Sequence, residues 1–312
     1  MKLQTTIEIA SPVRPIGLRN RLAFIGSCFA QHIGERMRQS GLPVLVNPFG
    51  VLYNPLSILQ VLTQNPTFDS LYFEDEDQRW HCWLTDSSKN ASSLEACKAG
   101  VLSARGRLFQ WNPDVVVITL GTNRYYSHLP SPESGDSPLV VGNCHKRPHA
   151  EFEEKELTVE ETTTVLDSIC QLFPRAHVVL TVSPYRYSKY GFHQSRLAKA
   201  TLLLAVDAIQ RRRPEQVSYF PAYEIQLDEL RDYRFYAEDM LHPSPQAIEY
   251  IWDRFVDRFF DSETHSYLSD FEPIRKALQH RPEDSDSPAA QRFHEQTRQR
   301  LADLIEKYHI EP

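Results

Sequence analysis

Two short stretches hold residue types that could perform a covalent reaction together. In the first, RLAFIGSCFAQHIGERM over 21–37, Ser27 follows an apolar run at 22–25 and Gly26, which permits a sharp turn. From Phe29 the apolar residues recur at Ile33 and Met37, one face of a helix. A strand that hands over to a helix at a serine sets its hydroxyl beside unpaired backbone N–H groups. An acyl-transfer enzyme needs its nucleophile in that position, next to donors for a developing oxyanion. Alone, the stretch equally reads as a tight turn closing on an ordinary serine. Cys28 beside it is a second candidate nucleophile, because a helix N-terminus lowers a thiol pKa.

The second stretch is Asp239-Met240-Leu241-His242. A carboxylate three residues before a histidine in a short turn can orient the imidazole and stabilise its protonated form. The histidine could then take the proton of Ser27. Pro243, with Ser244 as N-cap and Pro245 at the first helical position, holds the histidine at an element terminus. Alone, the pair reads as an exposed aspartate and a helix-capping histidine. The loop Val141–Pro148, VGNCHKRP, offers His145 and Lys146 as candidate substrate contacts. Cys144, His145 and His149 could hold a metal only with a second cluster of ligands, which the chain lacks, so no metal is expected. Arg186 and His193 read as structural.

Regular elements must position these groups. Apolar runs at 22–25, 44–46, 114–120 (DVVVITL), 176–182 and 217–220 read as strands. The unbroken β-branched run at 114–120 marks a strand buried on both faces of a parallel sheet. Helical patterns are expected over about 29–40, 56–62, 93–109, 159–172, 194–213, 223–230 and 246–260. Residues 5–9 suggest an added edge strand, 65–89 an insertion with a hairpin, and 125–152 a long Pro-, Ser- and Gly-rich loop. The alternation of strand and helix predicts an α/β fold with a doubly wound, mostly parallel sheet. Ligands bind such sheets at the carboxyl ends of the strands, just where Ser27, Asn123 and Ser183 fall.

Composition narrows the partners. The chain has 312 residues, 41% hydrophobic and 11% aromatic, enough for one main domain with additions. A formal charge of -7, with no basic stripe interleaved with aromatics, argues against a nucleic-acid partner. No segment has the apolar run of a membrane span, and the first 18 residues lack the apolar core of a secretory signal. The five cysteines are spread without a CxxC pair, so neither a disulfide framework nor a zinc knuckle is indicated. These features predict a cytoplasmic protein with reduced thiols and no cofactor.

Several ordered motifs carry a family resemblance. They are Gly26-Ser27-Cys28-Phe29-Ala30, Asn47-Pro48-Phe49-Gly50, Tyr53-Asn54-Pro55, Thr119-Leu120-Gly121-Thr122, Asn143-Cys144-His145-Lys146, Val182-Ser183-Pro184, and Tyr233-Arg234-Phe235-Tyr236 through Asp239 to Ser244. Over roughly residues 5–260 the sequence resembles the GSCFA family of the SGNH/GDSL hydrolase superfamily. The resemblance implies a flavodoxin-like three-layer α/β/α domain over 1–262. The remaining 263–312 reads as a C-terminal helical extension, with an HRPEDSDSP stretch and then a charged helix over about 291–308 whose Leu301, Leu304, Ile305 and Tyr308 form one stripe. The resemblance also implies Ser27 as nucleophile, His242 as general base, Asp239 orienting it, and an oxyanion hole from the Gly50 amide and the Asn123 side chain, helped by the Ser27 N–H. Gly26 departs from the superfamily pattern, which has aspartate before the serine; Gly121-Thr122-Asn123 keeps the third-block Gly-x-Asn. The expected activity is hydrolysis of a small acyl ester, by superfamily analogy an O-acetyl group on a carbohydrate. Acyl transfer to another hydroxyl, or a non-catalytic binding module on the same fold, are the alternatives. The residues specify neither the acyl group nor an oligomeric state.

Overall fold

The computed structural model describes residues 4–130, 137–280 and 287–310. The chain runs β1 (Leu22–Gly26), α1 (Cys28–Arg38), β2 (Val44–Val46), α2 (Pro55–Thr63), a hairpin β3 (Tyr72–Glu74) and β4 (Trp80–Cys82), α3 (Leu94–Trp111) and β5 (Val115–Leu120). It continues through β6 (Arg124–His128), β7 (Leu139–Val141), β8 (Phe152–Glu156), α4 (Val159–Leu172), β9 (His177–Val182), α5 (Gly191–Arg212), β10 (Val217–Tyr219) and a short α6 (Ala222–Glu224). The last elements are α7 (Pro245–Phe259), α8 (Ser262–Gln279) and α9 (Pro288–Tyr308).

Five parallel strands form the central sheet in the order β10-β9-β5-β1-β2. Counting only these strands along the chain, that is the order 2-1-3-4-5, whose switch point lies between β1 and β5. The connections that leave β1 (to β2) and β5 (to β9) run in opposite directions there, opening a crevice at the carboxyl ends. Successive side chains of β1 alternate across the sheet: Ala23 and Ile25 join the core under α2, α3, α4 and α5, while Leu22 and Phe24 join the core under α1, α7, α8 and α9. Both faces are therefore covered, and every residue of β1, β5 and β9 is buried. The α/β three-layer expectation holds, with a second, three-stranded antiparallel sheet β7-β6-β8 beside it.

Three expectations need correction. Residues 5–9 form no strand; Ile7 is instead held by side chains, its N–H donating to Glu229 (2.8 Å) and its carbonyl accepting from Arg254 (2.6 Å). The segment 125–152 is not a loop throughout: β6 and β8 pair over five residues, Arg124 opposite Glu156 to His128 opposite Phe152. Its polar alternation hid the strands, because only a few of their side chains, such as Ser127, Val141 and Phe152, are buried. Residues 131–136 and 281–286, within the expected loop and the HRPEDSDSP stretch, lie outside the described residues. Helix α8 was not foreseen as an element; Asp261 caps it by accepting from Thr264 N–H (2.8 Å), and Tyr267, Phe271 and Ile274 complete the core beside α1.

Candidate active site

Ser27 stands between β1 and α1 as the helix N-cap, yet its side chain makes no capping bond. Its backbone N–H donates to Thr119 O on β5 (3.1 Å), so the serine is fastened across the switch point. Gly26 has φ of 139°, and a Cβ there would stand 2.2 Å from Thr119 O; only glycine lets β1 approach β5 so closely. The loop 47–54 clamps this turn. Asn47 Oδ1 accepts from Gly26 N–H (3.0 Å), Leu52 N–H donates to Gly26 O (2.9 Å), and Tyr53 O accepts from Gly121 N–H (2.7 Å) and Thr122 N–H (3.0 Å). The Ser27 hydroxyl is 1% exposed and has no hydrogen-bond partner among the described residues. A buried hydroxyl without a partner costs about 1–3 kcal/mol, an expense that structures tend to carry at functional sites.

The Asp239 turn is built around its own carboxylate. Oδ1 accepts the N–H groups of Leu241 (2.9 Å) and His242 (3.0 Å), while Oδ2 bonds His242 Nδ1 at 2.5 Å. These bonds, that from the imidazole first, hold the Asp239 carboxyl down at about 2. With Nδ1–H donated to the carboxylate, the neutral tautomer leaves the Nε2 lone pair free to accept a proton. Arg186 braces the turn from outside, donating its N–H to Leu241 O (3.0 Å) and its guanidinium to Met240 O (3.0 Å). Tyr185 lays its ring 4.3 Å from that of His242. The Asp239, His242 and Tyr185 groups share the electrostatic surroundings of the α1 N-terminus: Asp239 acts on Cys28, Cys28 on Tyr185, and His242 on His32, one turn into α1.

The surroundings of Cys28 disfavour its thiolate. Burial raises its pKa, outweighing the lowering by the Phe29 N–H and by Lys199. Lys199 was missed by sequence reasoning. It is 2% exposed, and its Nζ donates to Gly121 O (2.6 Å) and Ser183 O (2.8 Å), joining the carboxyl ends of β5 and β9. Burial brings it down to about 7. The available signal was its place on the buried stripe of α5 at Ser195, Ala198, Lys199, Leu202, Ala205, Val206 and Ile209.

The first family model to match, the GSCFA family, covers residues 21–255, and a second, the GSCFA domain protein C-terminal domain, covers 271–310. The chain belongs to the GSCFA family. No curated protein matches the sequence. Among solved structures, this GSCFA chain is similar to a family two carbohydrate esterase from Clostridium thermocellum in complex with cellohexaose, at 16% identity and a TM-score of 0.36 over 81% of this chain. The chain spans 66% of that protein's length.

Within the GSCFA chain the expected oxyanion donors are largely committed. Gly50 does not offer its amide: the N–H donates to Asn47 O (2.8 Å), and its Cα faces the Asp86 carboxylate, where a Cβ would lie 1.9 Å from Cγ. The Ser27 N–H is likewise spent on Thr119. Asn123 donates from Nδ2 to Leu157 O (2.8 Å), fastening the start of β6 to the end of β8, and keeps one amide proton uncommitted. His145 is also occupied. Its Nε2 donates to Cys82 O (2.9 Å) and its Nδ1 meets His81 Nδ1 at 3.3 Å, while His81 Nε2 meets Asp75 Oδ2 at 2.6 Å. A carbonyl and a carboxylate can only accept, so both imidazoles carry their proton on Nε2, and one of the two facing Nδ1 atoms donates to the other. His145 therefore ties its loop to the β3–β4 hairpin, and Lys146 beside it is exposed. No group of three or more His, Cys, Asp or Glu able to hold a metal occurs among the described residues, and the five cysteines are free. No described helix is long and apolar enough to cross a membrane.

Proposed function

We propose that this protein is an SGNH-type serine esterase, in which Ser27 attacks the carbonyl of a small acyl ester and His242, oriented by Asp239, moves the protons. The observation that carries the reading is the combination of a buried, unpartnered Ser27 hydroxyl with a His242 whose Nδ1 is bound to a carboxylate held ionised. His242 Nε2 takes the hydroxyl proton as the Ser27 Oγ–C bond forms, then returns it to the departing alcohol oxygen. Water, activated by the same nitrogen, releases the acyl group as the acid and regenerates the serine. The oxyanion is served by the Cys28 amide at the α1 N-terminus and by the uncommitted Asn123 proton, in place of Gly50. An O-acetylated carbohydrate is the proposed substrate class.

Burial of Ser27 at 1% exposure favours a second reading, acyl transfer to a hydroxyl other than water, because a closed site protects the acyl enzyme. Both readings share one test. A serine-reactive phosphonate should label the peptide that contains Ser27, and Ser27→Ala should lower kcat for para-nitrophenyl acetate on the order of a thousandfold or more. Turnover that survives in Ser27→Ala sinks both. Product analysis with an added alcohol separates them, since a transferase gives ester in preference to acid.

A further inference from the structure

Beside the Ser27 crevice lies a cavity of about 170 Å³ to which the reading above assigns no role. Four separate segments wall it: Tyr53 from the loop before α2, Arg124 and Tyr126 from β6, Asn143 after β7, and Tyr187 with Tyr190 between β9 and α5. A run of rings joins it to the histidine. Tyr185 lies 4.3 Å from His242, Tyr187 lies 5.6 Å from Tyr185, and Tyr190 stacks on Tyr187 at 5.8 Å with their planes 11° apart. Tyr53 neighbours both the cavity and the α1 N-terminus; burial first, then the nearby Cys28 and Tyr185 groups, raises its phenol.

The polar groups behind the rings are fixed. Tyr126 Oη donates to Glu154 Oε2 (2.9 Å), lies 2.5 Å from Tyr190 Oη and accepts from Lys189 Nζ. Arg124 lies 4.3 Å from the Tyr190 ring centroid, pairs with Glu154 (3.5 Å) and Glu156, and keeps a buried Nε without a partner among the described residues. Two cations thus meet two carboxylates, and the wall is balanced in charge. Aromatic faces beside fixed donors and acceptors suit a ring with an apolar C–H face and a rim of hydroxyls, whereas a long acyl chain would leave these polar groups buried against carbon. The volume lies below the roughly 300–1,000 Å³ of pockets for larger ligands, so it holds a single ring.

We propose that this cavity is the subsite for the alcohol half of the ester and that it takes one neutral sugar ring. The proposal rests on the esterase reading for its orientation, though the ligand class follows from the cavity alone. The test uses methyl hexopyranosides as unreactive probes and the Ser27→Ala chain as receptor. Saturation-transfer NMR should show transfer to the ring protons, and Tyr190→Phe or Asn143→Ala on that background should weaken Kd by about three- to tenfold. Thermal unfolding of each variant verifies that it is folded. A methyl hexuronide should bind more weakly than its neutral counterpart.

No transfer to the neutral glycoside, unchanged affinity in both variants, or a preference for the hexuronide overturns the inference whatever the serine does. The two claims also separate in the wild type. Hydrolysis of para-nitrophenyl acetate that depends on Ser27, without glycoside binding, keeps the nucleophile and removes the subsite. Glycoside binding without hydrolysis or transfer of any acyl ester removes the esterase and with it the assignment to an alcohol half.

Discussion

Asp239 does two jobs with one carboxylate, closing its own turn through Oδ1 and holding the His242 tautomer through Oδ2. Asp239→Asn keeps a similar shape but exchanges an acceptor for a group whose nitrogen donates, favouring the wrong imidazole tautomer. In assays with para-nitrophenyl acetate, kcat should fall on the order of a hundred- to ten-thousandfold with KM little changed. An unchanged kcat would detach the carboxylate from the reaction. The same residue sets a pH dependence. Its folded pKa of about 2 lies below the ordinary 3.8, so its contribution to stability is present above 3.8 and is lost as pH falls through about 2. Denaturant unfolding followed from about pH 5 to about pH 2 should therefore show a shallower loss in Asp239→Asn than in the wild type.

At the scale of elements, the crevice is kept open by ties between strand ends and loops. Loop 47–54 grips Gly26 on β1 and Gly121 and Thr122 after β5; Lys199 on α5 grips the ends of β5 and β9. The lysine has a signature in titration. Between about 7 and its ordinary 10.5 the unfolded chain holds a proton on Lys199 that the folded chain does not, so stability should rise with pH across that window. Lys199→Met should flatten that rise, as read from urea unfolding at about pH 7 and about pH 10, and equal slopes would show that the amine does not titrate in this way. Its neutral amine still carries two hydrogens, enough for both carbonyls.

For the whole molecule, the C-terminal helices belong to the same core as the site. Tyr267 Oη donates to Ser40 O (3.0 Å), and Arg36 on α1 bonds Glu249 of α7 (2.9 Å) and reaches Glu272 of α8 (3.4 Å). Arg19 reaches from the N-terminal segment to Glu263 (3.2 Å) and Tyr308 O (2.9 Å). Removing 263–312 would strip Tyr267, Phe271, Ile274, Leu304 and Tyr308 from the core they share with α1 and α7. Such a chain should lose several degrees of Tm or precipitate, because each large apolar side chain stripped of cover forfeits about 1.5–3 kcal/mol. Unchanged unfolding would mark the tail as an independent extension.

The sequence by itself determined the alternation that makes the sheet parallel and doubly wound. Continuous apolar runs such as DVVVITL can only be covered on both faces, and capped, periodic helices such as 159–172 supply the cover. It also marked Ser27, Asp239 and His242, because a serine at a strand-to-helix turn and an Asp-x-x-His before a capped helix are local patterns. Strands β6–β8 were illegible because few of their side chains are fully buried and most are polar, and α8 because its interior Pro273 and charged face mask a stripe of three core residues. Only the tertiary structure decided which donors are free. Whether Gly50 can serve an oxyanion depends on Asn47 O and Asp86 lying against it, and whether His145 can meet a substrate depends on His81, 64 residues earlier. Hydrogen-bond commitments of that kind are made between segments distant in the chain, and no spacing within one segment encodes them.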